Sequence, residues 1–104
     1  MSVTAEIDRY LSYLRSVRNL SEQTIHSYRS DLDAFLLWLE ERGEDLEEVD
    51  SRTLRRYVRE LGSRGAAPAT VNRHISALNG LFKYQMRFGG RSANPMEAVR
   101  SLRL

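Results

Sequence analysis

The sequence predicts an all-α protein: a compact bundle of four main helices plus a short C-terminal helix. Three observations lead to this prediction. Apolar residues recur every three or four positions in successive segments, as they do along the buried face of an amphipathic helix. Ser, Asp, Pro and Gly stand at the ends of these segments, where they cap or stop helices. No segment alternates apolar and polar residues for long enough to predict a strand.

The first helix is predicted over residues 4–18. Arg15 and Arg18 suit its last turn, because the dipole of a helix favours cations at the C-terminal end. Asn19 is expected to end it. Its buried stripe is predicted to consist of Ile7, Tyr10, Leu11 and Leu14.

The second helix is predicted over residues 21–42. Ser21 is a natural N-cap, because its hydroxyl can accept a hydrogen bond from a backbone N–H of the first turn. Leu20 and Ile25 have the spacing of a hydrophobic staple. Gly43 can adopt the left-handed conformation that ends a helix. The buried face is predicted to consist of Ile25, Tyr28, Leu32, Phe35, Leu36 and Leu39.

An acidic loop over residues 44–50 leads to the third helix, predicted over residues 51–62. Leu46 and Val49 are expected to anchor this loop to the core. Asp50 has the position and the side chain of an N-cap. The buried face of the third helix is predicted to consist of Leu54, Tyr57, Val58 and Leu61.

The fourth helix is predicted over residues 68–88 and the fifth over residues 95–100, each with a proline at its first position. Gly80 lies in the middle of the fourth helix, where glycine costs about 1 kcal/mol relative to alanine. We therefore expect another helix or a backbone group to approach closely at this position. The residues predicted to point inward are Val71, Ile75, Leu78, Phe82 and Met86.

Composition fits one globular domain, since the 104 residues suffice to bury a core. The absence of cysteine excludes disulfides, cysteine-ligated zinc and thiol catalysis. No apolar run approaches the length of a membrane span, and the N-terminus lacks the apolar core of a signal peptide. We therefore expect a cytoplasmic protein without membrane contact.

Charge is distributed unevenly along the chain. Residues 31–50 carry nine acids and one base, whereas residues 51–104 carry eleven bases and two acids. Fifteen of the sixteen basic residues are arginine, which favours bidentate contacts with phosphates and base edges. An arginine-rich genome would produce the same bias, so composition alone leaves both interpretations open.

The sequence predicts no catalytic residue, no metal and no cofactor. Of the two histidines, His26 is expected on an exposed face and His74 at the edge of a buried one, where a structural role is expected. The acidic stretch at 40–48 lacks the ligand spacing and the glycine of a calcium loop, and no phosphate-binding or nucleophile motif is present. No neighbouring Arg–His set marks any of the five tyrosines as a nucleophile.

Two helical faces suggest a nucleic-acid interface. Opposite its apolar face, the fourth helix alternates small residues with cations, and the face opposite the apolar one in the first turns of the second helix is polar and uncharged. Small side chains let a helix enter the major groove, while Arg and Lys reach phosphates or guanine edges. Acids of the second helix begin only at Asp31 and Asp33, which we expect to face solvent. The predicted DNA-binding residues are Gln23, Thr24, His26, Ser27, Ser30, Ala69, Thr70, Arg73, Ser76, Ala77, Lys83 and Arg87. An ordinary solvated surface is the alternative.

Three motifs resemble a known family. The stretch LSEQTIHSYRSDLDAFLLWLEERG resembles the Leu-Ser-x-x-Thr-x-x-x-Tyr-x-x-Asp-Leu-x-x-Phe signature of the N-terminal core-binding domain of tyrosine recombinases, especially the Xer and phage-integrase group. The segments PATVNRHISALNGLFKYQMRFG and NPMEAV are similar to the second signature and to the closing segment of that domain. The three motifs occur in the family's order and together cover nearly the whole chain.

This resemblance implies a SAM-like helical bundle over residues 1–104 that clamps double-stranded DNA of a recombination half-site with its second and fourth helices. The implied partners are a C-terminal catalytic domain, which this chain does not contain, and further recombinase subunits in a synaptic tetramer. The fragment itself would not be an enzyme, whereas its parent would break and rejoin DNA. One departure is Ala67, where the family commonly has a serine that caps the fourth helix. His26 and Ala69 are shorter or less basic than their usual counterparts. A helical protein-interaction module that works through the acidic 40–50 stretch is the alternative.

Overall fold

Five α-helices follow one another in the computed structural model, which describes the backbone of residues 3–101. We name them α1 (Val3–Ser16), α2 (Glu22–Glu41), α3 (Ser51–Ser63), α4 (Pro68–Tyr84) and α5 (Met96–Ser101). A 3-10 turn, Leu46–Glu48, precedes α3, and a π-helical turn, Gln85–Gly89, continues α4. No strand occurs within residues 3–101, so the predicted all-α bundle of four main helices and a short fifth is confirmed.

Most helix ends follow the local signals in the sequence. The Ser21 hydroxyl accepts a hydrogen bond from the backbone N–H of Thr24 at 3.1 Å, and the Asp50 carboxylate accepts one from that of Thr53 at 3.0 Å. Gly43 (φ 67°) has the left-handed conformation expected after α2. Asn19, which follows α1, is also left-handed (φ 56°), a conformation that asparagine tolerates better than most residues. α4 begins without a side-chain cap, as the alanine at its N-cap position implies.

The core lies where the four main helices meet. All four stripe residues predicted for α1 are buried, as are the loop anchors Leu46 and Val49. In α2 and α3 most of the predicted residues are buried, whereas Tyr28, Leu36, Val58 and Leu61 are only partly buried and pack against the core. Trp38, which the periodicity does not assign to the core, is only 3% exposed. It lies against α3, where its Nε1 donates a hydrogen bond to Glu60, so the neighbouring helix widens the buried face of α2.

The C-terminal end of α4 differs from its prediction. The α-helix stops at Tyr84, and the wider π turn rotates the following side chains relative to the apolar face. Met86 is consequently 45% exposed, so its assignment to the core is wrong. Gln85 is buried in its place and donates a hydrogen bond to Glu6 of α1 at 2.9 Å.

Gly80 marks a close approach between helices, as its position in mid-helix predicts. The side chain of Tyr10 from α1 lies against α4 at this point, and its hydroxyl donates a hydrogen bond to the carbonyl oxygen of Ala77 at 3.3 Å. A Cβ atom on Gly80 would lie 3.1 Å from Cζ of Tyr10 and closer still to its hydroxyl oxygen. Glycine is therefore required here by the space available.

None of the helices within residues 3–101 is long and apolar enough to cross a membrane.

Candidate nucleic-acid interface

Helices α2 and α4 pack directly against each other, so the two faces predicted to bind DNA belong to neighbouring helices. One contact between the two helices is polar. Asp31 of α2 accepts hydrogen bonds from Nε of Arg73 at 2.8 Å and from Nη2 of Arg73 at 2.9 Å. It also lies 3.1 Å from Nε2 of His74, so three side-chain nitrogen atoms from α4 surround this carboxylate.

The structure exposes most of the predicted DNA-binding side chains. Exposed are Gln23, His26 and Ser30 on α2, Ala69, Arg73, Ser76 and Lys83 on α4, and Arg87 on the π turn. Partly buried are Thr24, Ser27 and Thr70. The resulting surface is composed mainly of small or uncharged polar side chains, with cations towards the C-terminal half of α4.

Two expectations about this surface are wrong. Ala77 is 0% exposed, so its side chain cannot contact DNA in this conformation. Asp31 was expected to face solvent but is only 2% exposed. Its burial leaves Asp33 as the first exposed acid of α2 beyond the polar turns.

The buried carboxylate belongs to a network that joins three helices. His74 is buried, with its Nδ1 atom 3.2 Å from the hydroxyl of Tyr57 on α3. Since a carboxylate only accepts hydrogen bonds, a neutral His74 satisfies both contacts by donating from Nε2 to Asp31 and accepting at Nδ1 from Tyr57. The sequence shows no Arg–His pair beside any tyrosine, yet folding brings His74 to Tyr57.

That proximity does not create an accessible nucleophile. Tyr57 is only 2% exposed, and it packs edge-on against Phe35 at 4.9 Å and Trp38 at 5.1 Å between ring centroids. Burial raises the pKa of the Tyr57 hydroxyl well above its usual value, and the charge of Asp31 raises it further. Asp31, His74 and Tyr57 therefore form a network of polar contacts that is packed inside the core. Within residues 3–101 no cluster of three or more His, Asp or Glu side chains is arranged to hold a metal ion.

A cleft near the C-terminal end of α4 adds Arg18, which is not among the predicted DNA contacts. Arg18, which follows α1, lines this cleft of about 260 Å³ together with Lys83 and Arg87. Its aromatic wall includes Tyr84 and Phe88, whose ring centroids are 5.0 Å apart. No acidic residue is among the residues found to line it. The sequence alone indicates for Arg18 only a favourable interaction with the helix dipole, because its distance to α4 depends on how α1 crosses the bundle.

Comparison with known proteins identifies the family. A family profile described as "Phage integrase, N-terminal SAM-like domain" matches residues 7–89. The chain belongs to this family of SAM-like domains. The resemblance indicated by the three sequence motifs is thereby confirmed.

The relatives of this SAM-like domain include tyrosine recombinases of the Xer group. Tyrosine recombinase XerC of Treponema denticola is 38% identical over 97 residues, which are 93% of this chain and 32% of that protein. Tyrosine recombinase XerC of Pseudomonas aeruginosa is 37% identical over 86 residues, or 82% of this chain and 28% of the relative. Tyrosine recombinase XerD of Chlorobaculum tepidum is 32% identical over 98 residues, or 94% and 32%. The chain therefore spans about a third of the length of these relatives.

The buried histidine of the SAM-like domain predicts a pH-dependent stability. Burial lowers the pKa of His74; the negative charge of Asp31 opposes this shift, and the positive charge of Arg73 adds to it. The unfolded chain therefore binds a proton near pH 6.5, whereas the folded chain binds it only at lower pH. We expect the free energy of unfolding to fall as the pH decreases below about 6.5, by about 1.4 kcal/mol for each unit of lowered pKa.

Denaturant unfolding between about pH 8 and about pH 5 measures this dependence. A His74→Gln variant should be less stable than the wild type at the upper pH and should lose less stability on acidification. His26→Gln, which replaces the exposed histidine, should retain the wild-type dependence. Equal losses in the wild type and in His74→Gln would show that other groups cause the acid sensitivity.

Proposed function

We propose that this domain binds the double-stranded DNA of a recombination half-site, with α2 and α4 facing the major groove. It thereby positions the separate catalytic domain of a site-specific tyrosine recombinase. One observation carries the proposal: the two packed helices expose small, polar and basic side chains, while the carboxylate of Asp31 between them is buried. The proposal retains eleven of the predicted contacts and omits Ala77.

The composition of this surface suits the major groove. Ala69 and Ser76 are short, exposed side chains on α4, and α2 contributes the exposed Ser30 and the partly buried Ser27. Short side chains let a helix backbone approach the base edges, which carry distinct hydrogen-bonding patterns in the major groove. An exposed carboxylate would repel the phosphates on either side of the groove, so the burial of Asp31 favours this use of the surface.

The cations on the C-terminal side of α4 have a different proposed role. Lys83 and Arg87 are exposed, and Arg18 from the end of α1 lines the same cleft. We assign these three residues to phosphate contacts. Such contacts fix the position of a protein on the duplex but carry no direct sequence information.

The activity of the whole protein follows from the family and is proposed here for the parent of this chain. Its relatives are tyrosine recombinases, so we infer that the parent breaks and rejoins DNA through a catalytic domain C-terminal to this one. The domain itself would contribute DNA binding without a catalytic residue, metal or cofactor. Its further partners would be recombinase subunits assembled in a synaptic tetramer.

The test is direct binding of DNA. We would first enrich duplexes from a random-sequence library on the 104-residue chain, and then titrate a labelled enriched duplex at several salt concentrations. Binding should weaken as salt increases, because phosphate contacts release counterions. Lys83→Gln should weaken binding to all duplexes alike and reduce the slope of log K against log salt by about 0.9.

Arg59→Gln is the matched control, since it removes one positive charge from the exposed face of α3 and leaves α2 and α4 unchanged. It should retain nearly the wild-type slope. Absence of binding at low salt, or binding that does not depend on salt, would contradict the proposal and favour a protein-interaction module that uses the acidic 40–50 stretch. Equal effects of Lys83→Gln and Arg59→Gln would contradict the placement of the interface.

A further inference from the structure

Arg73 differs from the other exposed cations of the proposed interface because a buried carboxylate holds it. Its Nε and Nη2 atoms donate to the two oxygens of Asp31 at 2.8 and 2.9 Å, which is the bidentate geometry that fixes the plane of a guanidinium group. The Arg73 side chain is nevertheless 43% exposed, whereas that of Asp31 is 2% exposed. A surface arginine is thus attached to an anchor inside the protein.

The anchor prevents Arg73 from turning away. If Arg73 left to follow a phosphate, Asp31 would remain buried with only His74 to compensate its charge, and an uncompensated buried charge is strongly unfavourable. His74 is a weak substitute, since burial lowers its pKa and favours the neutral form. The pairing with Asp31, in turn, raises the pKa of Arg73, whose guanidinium is charged in any case.

The anchor also compensates the charge of Arg73. A phosphate that approaches Arg73 meets the carboxylate of Asp31 directly behind the guanidinium, so the net attraction is that of a dipole rather than of a free cation. A base edge is uncharged and requires hydrogen-bond donors in a fixed orientation. The Arg73–Asp31 pair therefore attracts phosphate only weakly, but it keeps the fixed hydrogen-bond donors that base recognition needs.

We propose that Asp31 is a specificity-determining positioning residue, which holds Arg73 as a reader of base edges and suppresses its contact with phosphates. This inference rests on the proposed function, because it concerns how the α2–α4 surface meets DNA. It divides the cations of that surface into two classes. Arg73 is a hydrogen-bond donor in a fixed orientation, and Asp31 compensates its charge, whereas Lys83 and Arg87 are cations that bind the backbone of any duplex.

The test compares Asp31→Asn with Asp33→Asn. Both variants remove one negative charge from α2, but Asp33 is exposed and its substitution leaves Arg73 paired. Asparagine at position 31 keeps the shape of the side chain and an acceptor oxygen for His74. Each variant is titrated with an enriched duplex and with a shuffled duplex of the same composition, over a range of salt concentrations.

Freed from its anchor, Arg73 should act as a phosphate contact. We expect Asp31→Asn to bind the shuffled duplex several-fold more tightly, with a slope of log K against log salt steeper by about 0.9. The ratio of affinities for the enriched and shuffled duplexes should fall by about tenfold. Asp33→Asn should change both affinities alike and leave the ratio unchanged. If the two variants behave identically, the proposal is overturned.

The double variant Asp31→Asn with Arg73→Gln keeps the proposal testable if Asp31→Asn does not fold, which circular dichroism would show, because it removes both charges and leaves no unpaired buried carboxylate. We expect this double variant to lose discrimination between the two duplexes while its salt slope stays that of the wild type. A slope reduced by about 0.9 would instead identify Arg73 as an ordinary phosphate contact and overturn the inference. Failure of the wild-type chain to bind any duplex would reject the proposed function and this inference with it. That result differs from the two outcomes above, in which the wild type binds and only the effects of the variants contradict the inference.

Discussion

Replacement of Trp38 by alanine should lower the free energy of unfolding by about 3–5 kcal/mol, the range typical of large aromatic residues in a core. Trp38 is 3% exposed, stacks on Phe35 at 6.0 Å between centroids and meets Tyr57 edge-on. Its Nε1 donates to Glu60, and the guanidinium carbon of Arg42 lies 4.2 Å from its ring centroid. Alanine would leave a cavity between α2 and α3 and remove these contacts together.

Leu37→Ala is the matched control, because Leu37 is the adjacent residue on the same helix and is 57% exposed. Its removal should change the free energy of unfolding by no more than about 0.5 kcal/mol. Urea unfolding followed by circular dichroism measures both variants. A domain of this size has a total stability of roughly 5–15 kcal/mol, so Trp38→Ala should be visibly destabilised or largely unfolded. Similar small effects of the two substitutions would contradict the placement of Trp38 in the core.

Gly80→Ala should destabilise the domain by about 1–3 kcal/mol, even though alanine is the better helix former. The added methyl group would collide with the hydroxyl of Tyr10, which is 1% exposed and whose ring packs against Tyr84 at 5.6 Å between centroids. Tyr10 could yield only by displacing its neighbours and by giving up its hydrogen bond to the carbonyl oxygen of Ala77. The steric cost should therefore exceed the gain in helix propensity.

Gly62→Ala provides the control with the opposite sign. Gly62 also lies within a helix, α3, but a Cβ there would have no atom within 4 Å, so alanine should stabilise the domain by up to about 1 kcal/mol. Tyr10→Phe removes the hydroxyl that obstructs position 80. The double variant Tyr10→Phe with Gly80→Ala should be less destabilised than the sum of the single variants. Additive effects would mean that the close approach between α1 and α4 does not limit position 80.

Part of the negative charge of the acidic 40–50 stretch is compensated within the fold, since Glu44 binds Arg56 of α3 at 2.9 Å. Glu60, which lies on α3 outside this stretch, pairs with both Arg42 and Arg64. These pairs are partly exposed, so each contributes little to stability. Their consequence is electrostatic: the negative charge that follows the polar turns of α2 is partly compensated beside α3 rather than beside α4.

Features that depend on residues within four positions of each other could be predicted. The cap at Ser21, the cap at Asp50 and the left-handed glycine at position 43 each involve a side chain or a backbone angle that acts on the adjacent turn. The stripe of α1 could also be predicted, because its buried positions follow the helical period without interruption. The motifs that indicate the family are local in the same sense, and the profile match over residues 7–89 confirms them.

Features on the flanks of helices could not be predicted. Ala77, Trp38 and Asp31 lie between the buried and exposed faces of their helices, where the period alone leaves burial undecided. The packing of the helices decides it: Ala77 belongs to the buried core cluster, Trp38 donates a hydrogen bond to Glu60 of α3, and Asp31 pairs with Arg73 of α4. Met86 was assigned to the wrong face because a π turn changed the register of α4.

The amino-acid sequence by itself determined the class of the fold, the helices and their caps, the close approach at Gly80 and membership of the SAM-like family. These properties depend on the spacing of apolar residues and on backbone preferences, which act over a few neighbouring positions. Only the tertiary structure decided that Asp31 is buried, that it holds Arg73, and that Arg18 lies near Lys83. These pairs join residues 42 and 65 positions apart, and their distances depend on how whole helices pack.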